Sequence, residues 1–431
     1  MRRREGRVLT VVSVNIVLYA VCYQLQRPIE PYLVDRLGAG RPGSDAAANY
    51  AWLQSFFNLV QTVGAPVVGR LLDACGARNT FAAVFLASAL SYEMLARCST
   101  MHGLYASKLP SLLQHAFLVA QAVVARAVPP ERRAAALGRL MMMYTMGAAV
   151  GPGLGGYLGA AGDFRLGARI AAAGSLVSVA LIVVLLPPDD DIDGGSGGDG
   201  KQNTAGETKP TRPATATRYR RLLSATWPQL STKAAMGAAS SLYQAVSPVV
   251  LKERFGVAPA TMGAVMSAQA VTNAAVAGLA LGPVTRALSE HQLVRGCLAC
   301  LALGFLTLIP AALDADTSRS TGYLPWVALG VTLSVFSHTL GTVLTSMSTA
   351  RVGGGEKGAL LGLEHGVFSG VRVGGPALGS VLFQGGGAAA VAAACAAIAT
   401  GTWAAWTRAG WLLAHAGRVT QDAQTRGKKV A

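Results

Sequence analysis

Charged residues are scarce: Asp, Glu, Lys and Arg make up only 13% of the 431 residues, about half the share of a soluble globular domain. That shortage argues against a water-facing surface wrapped around an ordinary core. Acidic residues are scarcer still, 21 against 37 Lys and Arg, leaving a net charge of +16. Such a surplus would suit nucleic acid, but no basic face of a folded domain can be drawn, so no nucleic-acid partner is expected. Cysteine is limited to six scattered positions. Cys297-x-x-Cys300 stands alone in an apolar run without a second pair, which favours packing over a metal site. No H-E-x-x-H zinc motif occurs, and no G-x-S-x-G elbow stands between a strand and a helix. The lone His and Ser residues of the apolar runs form no assignable triad, so an enzyme is not expected.

What is abundant is apolar and small. Hydrophobic residues reach 52%, with 51 glycines, the composition of helices packed closely in a membrane. A helix needs about 20 apolar residues to cross about 30 Å of hydrocarbon. Twelve runs qualify: 8–30, 50–70, 79–98, 103–126, 134–160, 167–187, 228–251, 260–283, 292–313, 323–349, 358–383 and 386–413. The first continues too far, without an A-x-A-like exit, to be a cleaved signal. Residues 188–226 open on Asp189-Asp190-Asp191, become Gly/Ser-rich and end in Arg218, Arg220 and Arg221. Such a segment cannot bury a core and reads as a flexible linker. The expected domains are therefore a six-helix half over 1–187, the linker 188–226, a second six-helix half over 227–413, and a basic tail over 414–431. Six, linker, six is the layout of a transporter built from repeated halves. The cations cluster in alternate connections, which places both termini (Arg2, Arg3, Arg4 and Arg7; Lys428 and Lys429) in the cytoplasm.

Two motifs give this layout a family. Gly69-Arg-Leu-Leu-Asp73-Ala-Cys-Gly76-Ala-Arg78 follows the second run. Its glycines permit a tight turn, Asp73 can cap the next helix, and Arg78 can reach backbone or carboxylate acceptors. The stretch resembles the G-x-x-x-D-x-x-G-R-R loop of the major facilitator superfamily, where it helps latch the cytoplasmic gate. Ala74 and Ala77 stand where that family usually has basic residues. The fifth run holds Gly147-x-x-x-Gly151-Pro152-x-x-Gly155-Gly156, a small-residue face with a proline that removes one backbone hydrogen bond. It matches the element of drug:proton antiporters, and Gly374-Gly375-Pro376-x-x-Gly379 echoes it in the eleventh run. Over nearly the whole chain, Pro31-Tyr32-Leu33, Lys108-Leu-Pro with His115, Leu137-Gly138-Arg139-Leu140, Ser289-Glu290 with Arg295, and Arg372 before Gly375-Pro376 resemble the organic-cation-transporter-like branch of solute carrier family 22. Lys108 replaces the arginine common there, and Arg126 an acidic residue. The resemblance implies an all-α integral membrane fold of twelve transmembrane helices in two pseudo-symmetric halves. It also implies a secondary transporter for an organic cation or lipophilic drug by alternating access and proton antiport.

Helical spacing supplies a candidate cavity. Gln54, Asn58 and Gln61 fall at i, i+4 and i+7 on one face of the second run; Lys233, Ser240, Gln244 and Ser247 share a face of the seventh. Ser334, His338, Thr342 and Thr345 in the tenth run, His365, Ser369 and Arg372 in the eleventh, and Asn15, Tyr19 and Gln26 in the first add to it. Ionisable groups at bilayer depth are functional suspects. Lys108 and Lys233 lie near span ends, where their side chains can snorkel to water. Glu93 with Arg97, and Glu30 with Arg27, read as interfacial pairs. The deep set is then His115, His338 and Arg372, with Glu364 and His365 toward the cytoplasm. Glu364, the one carboxylate well inside a run, is the first proton candidate, and His115 or His365 the alternatives. Lys108, Lys233 and Arg372 outnumber Glu364, so an organic-anion facilitator or symporter is the alternative, and a non-transporting receptor or trafficking relative a further one. No cofactor is expected beyond a proton gradient. The expected partners are a small solute, protons and the lipid bilayer of a plasma membrane or endomembrane, with one chain as the functional unit.

Overall fold

The computed structural model describes residues 2–38, 45–188, 215–313, 323–352 and 357–430. Among them the chain is helical, without strands. The first set of helices comprises α1 (Arg2–Leu25), α2 (Glu30–Gly38), α3 (Ala46–Arg97), α4 (Met101–Lys108), a 3₁₀ turn (Leu109–Leu113), α5 (Ala116–Ala127), α6 (Pro130–Ala160) and α7 (Phe164–Leu185). The second comprises α8 (Thr215–Glu253), α9 (Pro259–Ala275), a π segment (Val276–Ala280), α10 (Leu281–Ala287), α11 (Glu290–Leu313), α12 (Tyr323–Ala350) and α13 (Lys357–Val430). Seven helical stretches among the described residues are long and apolar enough to cross a membrane.

Glycine divides the two longest helices. Gly76 (φ 77°, ψ 175°) breaks α3, and Gly386 with Gly387 (φ 64°, ψ −162°) breaks α13. Both positive-φ positions occupy backbone regions that a Cβ disfavours. Three departures from the expected runs have local causes. Pro28 lies in a turn that separates α1 from α2, where a single run over 8–30 was expected. Lys108-Leu-Pro opens a 3₁₀ turn, and Gln114 and His115 leave helical geometry altogether, so the run 103–126 is discontinuous. The helix expected from 228 begins at Thr215 and already buries Leu222, so the end of the expected linker is packed helix. Residues 189–214 of that linker lie outside the described residues.

Each set has its own core. One cluster of buried side chains draws on residues from Val8 to Leu186, including Phe81, Phe85 and Ile182; another runs from Met236 to Trp406, including Leu298, Phe305 and Cys395. A third joins Tyr50 and Leu53 of α3 to Val249 of α8, with Phe383 of α13 packed against it. Large apolar side chains such as Leu86, Leu90, Val184, Leu279 and Leu303 face outward, while Asn15, Glu30, Gln114 and Glu364 are buried. That inverted distribution suits hydrocarbon surroundings.

Candidate functional site

The 147–156 motif has two working faces. Gly147, Gly151 and Gly155, at i, i+4 and i+8, lie against the α1 backbone: a Cβ on Gly147 would stand 2.7 Å from the Ala20 Cβ, and one on Gly151 2.8 Å from the Val21 carbonyl oxygen. Gly156 faces the other way. A Cβ there would stand 2.9 Å from the Gly263 Cα of α9, and Gly263 is equally tight against Gly156. The Gly153 N–H donates to the Ser267 Oγ at 2.8 Å across the same seam. One face of the motif thus holds α6 to α1, and the other closes the first set of helices on the second.

More contacts between the sets lie at the same end of the molecule. Lys252 and Asp35 form an ion pair at 2.7 Å, Gln384 donates to Asp45 at 2.8 Å, and the Tyr32 hydroxyl donates to the Val257 carbonyl. Deeper, the Ala377 N–H donates to the Ser55 Oγ at 3.1 Å, and the Asn58 amide donates to the Arg372 carbonyl at 2.9 Å. At the opposite end Asp73 pairs with Arg126 at 3.3 Å, and the Arg78 guanidinium donates to the Val183 carbonyl, both within the first set. Asp73 therefore meets a cation on α5 instead of capping a helix; the reversal after it is carried by Gly76 alone. With both partners well exposed, that pair is worth at most about 1 kcal/mol.

Just beneath the closed end lies a cavity of about 190 Å³ between the sets. Arg27, Tyr50, Gln54 and Asn58 line it from the first set, and Ser240, Ser241, Gln244, Phe368, Arg372 and Pro376 from the second. Five residues picked out by helical spacing or depth (Gln54, Asn58, Ser240, Gln244 and Arg372) come together here. Others lie elsewhere. Gln61 donates to the Ser111 carbonyl at 2.7 Å. Tyr19 is buried in its own set and donates to the Gln114 carbonyl at 2.9 Å. Thr342 lines a separate cleft with Glu290 and Gly278, and His338 is exposed on α12. His115 precedes α5 at the break without a side-chain capping bond, its Nε2 buried without a hydrogen-bond partner. The side chain of His365 lies outside the described residues.

Glu93 and Arg97 pair at 2.5 Å as expected, but the buried charges pair differently from the sequence expectation. Glu30 is buried, and its partners are Lys108 and the Gln54 amide, the latter at 2.7 Å; Arg27 is not its ion-pair partner. Lys233 pairs with Glu364, which also accepts from Ser348, while Thr345 accepts from the ammonium. Neither lysine snorkels: their side chains are 11% and 16% exposed. In a low dielectric a charge stays buried only with a partner, and the helix ends that suggested escape to water are covered by neighbours. Two buried carboxylates therefore each neutralise one lysine. Arg27 and Arg372 are left. Among the described residues neither is ion-paired. Arg27 reaches the Gln24 amide oxygen only at 3.5 Å, and Arg372 stacks its guanidinium 5.8 Å from the Phe368 ring centre. Sequence reading missed Arg27 because Glu30, one helical turn on, looked like its partner. The signal was Pro28, which turns that stretch out of the helix.

Fold and site define a multi-pass helical membrane protein of the transporter class. The description of the Major Facilitator Superfamily matches residues 12–233, just over half of the chain, and the chain belongs to that family. It is similar to solute carrier family 22 member 18 of Mus musculus, with 28% identity over 389 residues, 88% of this chain and 90% of the relative. It is also similar to the class C tetracycline resistance protein of Escherichia coli, with 24% identity over 388 residues, again 88% and 90% of the two chains. Among solved structures, the human organic anion transporter MFSD10 shares the fold with a TM-score of 0.63 and 19% identity, over 93% of this chain and 99% of that one.

Proposed function

We propose that the chain is a secondary transporter that moves a small organic anion across a bilayer by alternating access. Its twelve spans form six-helix halves, 1–187 and 227–413, which rock about the cavity. With both termini cytoplasmic, the end sealed by Asp35–Lys252 and the Gly156–Gly263 crossing faces outward, and this conformation is closed to the outside. One observation carries the choice of solute: Arg27 and Arg372 line the cavity without carboxylate partners, whereas Lys108 and Lys233 are neutralised. A cation entering there would meet like charge. An anion would meet two guanidiniums, whose planar forks suit carboxylate or phosphate.

The test is uptake into proteoliposomes of labelled anions, cations and zwitterions, with and without a pH gradient. Anion uptake that falls at least tenfold in Arg372→Gln is expected. Cation uptake indifferent to both arginines would overturn the choice of solute. A second reading, proton-driven export of a cationic or lipophilic drug, is favoured by the complete 147–156 motif, and Glu364 and Glu30 are then the proton-carrying candidates. It requires cation flux that follows the imposed pH gradient.

A further inference from the structure

The two guanidiniums that lack ion-pair partners among the described residues come from different halves of the molecule. Arg27 follows α1 at the Pro28 turn, and Arg372 projects from α13. They line a single cavity of about 190 Å³. Gln244, which makes no hydrogen bond among the described residues, supplies a neutral polar contact, while Phe368 and Pro376 offer an apolar wall. The Asn58 and Gln54 amide nitrogens are already engaged, by the Arg372 carbonyl and by Glu30. The nearby carboxylate of Glu30 is bound by Lys108 and cannot swing over as an internal counter-ion without leaving that lysine buried and unpaired.

We infer that the cavity selects a compact dianion, a dicarboxylate or a phosphate ester with a short apolar body, which bridges Arg27 and Arg372 and so ties the two halves together. This rests on the anion reading above and narrows it. A monoanion satisfies one guanidinium and leaves the other without an anionic partner. A dianion answers both in the bidentate geometry that arginine offers. Removing one arginine should then cost a dianion its advantage over a monoanion. Loss of Arg27 or of Arg372 leaves a site for one negative charge.

The experiment compares phthalate with benzoate, which share a ring and differ by one carboxylate, with phenyl phosphate as the phosphate arm and tetraethylammonium as the cation. Uptake is measured in proteoliposomes holding the full chain, and thermal stabilisation of the purified protein by each compound gives a second readout. The expected result is phthalate or phenyl phosphate uptake at least tenfold above benzoate. In Arg27→Gln and in Arg372→Gln, dianion uptake should fall at least tenfold and the ratio of dianion to benzoate uptake should drop to about one, with partial recovery of that ratio in Arg27→Lys and Arg372→Lys. Benzoate carried as well as both dianions by the unmodified protein would overturn the dianion inference and leave the anion reading standing. Tetraethylammonium uptake untouched by either arginine variant would overturn both. A folded protein that neither transports nor is stabilised by either dianion also refutes the inference.

Discussion

Replacing Gly263 with alanine places a methyl group in the seam between α6 and α9. Its Cβ would stand 2.2 Å from the Pro152 carbonyl oxygen and 2.9 Å from the Gly156 Cα, against the ~3.5–4.0 Å at which carbon atoms rest. The obstructing atoms are backbone, so no rotamer change relieves the clash, and the helices must separate by roughly 0.5–1 Å. Overpacking of this kind costs about 1–3 kcal/mol. Because α6 and α9 belong to different sets of helices, the penalty falls on the conformation in which they touch. It should shift the balance between closed and open states by roughly 5–150-fold. The reporter is Ser55→Cys, a position 6% exposed at the same closed end, in a background with Cys75 and Cys300 replaced, since the other four cysteines are buried. A membrane-impermeant maleimide applied to that side should label it at least fivefold faster in Gly263→Ala. Gly147→Ala is the control: its added methyl meets α1 within one half, so stability should fall while labelling stays unchanged. Unaltered labelling in a folded Gly263→Ala protein, or an equal rise in Gly147→Ala, would refute the assignment of the two glycine faces.

Other outcomes follow from the buried pairs and the helix breaks. Lys108→Met should destabilise the protein by about 3–5 kcal/mol by stranding Glu30, and adding Glu30→Gln should restore most of the loss; thermal unfolding in detergent shows whether the two changes compensate. Glu364→Gln should abolish any dependence of transport on a pH gradient while counterflow persists, and gradient-dependent flux in that variant would remove Glu364 as proton carrier. Gly76→Ala, forced to φ 77°, should cost about 1–3 kcal/mol, read as a lower melting temperature; an unchanged one would mean that the break tolerates a side chain.

Much of the helical course was legible in the sequence, because bilayer thickness sets the length of an apolar run and period 3.6 marks its polar face. Gln54 and Asn58, or Ser240 and Gln244, reach the cavity for that reason. Gln61 shares their face by spacing, yet it lies further along α3, where the broken backbone at Ser111 offers it an acceptor. Charge pairing was much less legible. Lys108 is 78 residues from Glu30 and Glu364 is 131 from Lys233, and no periodicity within one helix reports which neighbour a buried charge will meet. Depth counted from a span end misled for the same reason: it measures distance to water along one helix and ignores the helices that block the way. Arg27 was lost to a plausible local partner. Only the turn at Pro28 frees it for the cavity.

The discontinuity between α4 and α5 bears on how the chain is made. Where the helix lapses, the Ser111 and Gln114 carbonyls are met by Gln61 and Tyr19, and the Gln114 amide is anchored on Tyr92. All three partners precede it in the sequence. Alone in lipid, the stretch would expose polar backbone at a cost of several kcal/mol, so it is a poor candidate for insertion by itself. During synthesis it can enter the bilayer only against α1 and both arms of α3. The stretch then depends on the helices before it for its insertion and cannot simply be exchanged, as a cassette, for an uninterrupted hydrophobic helix.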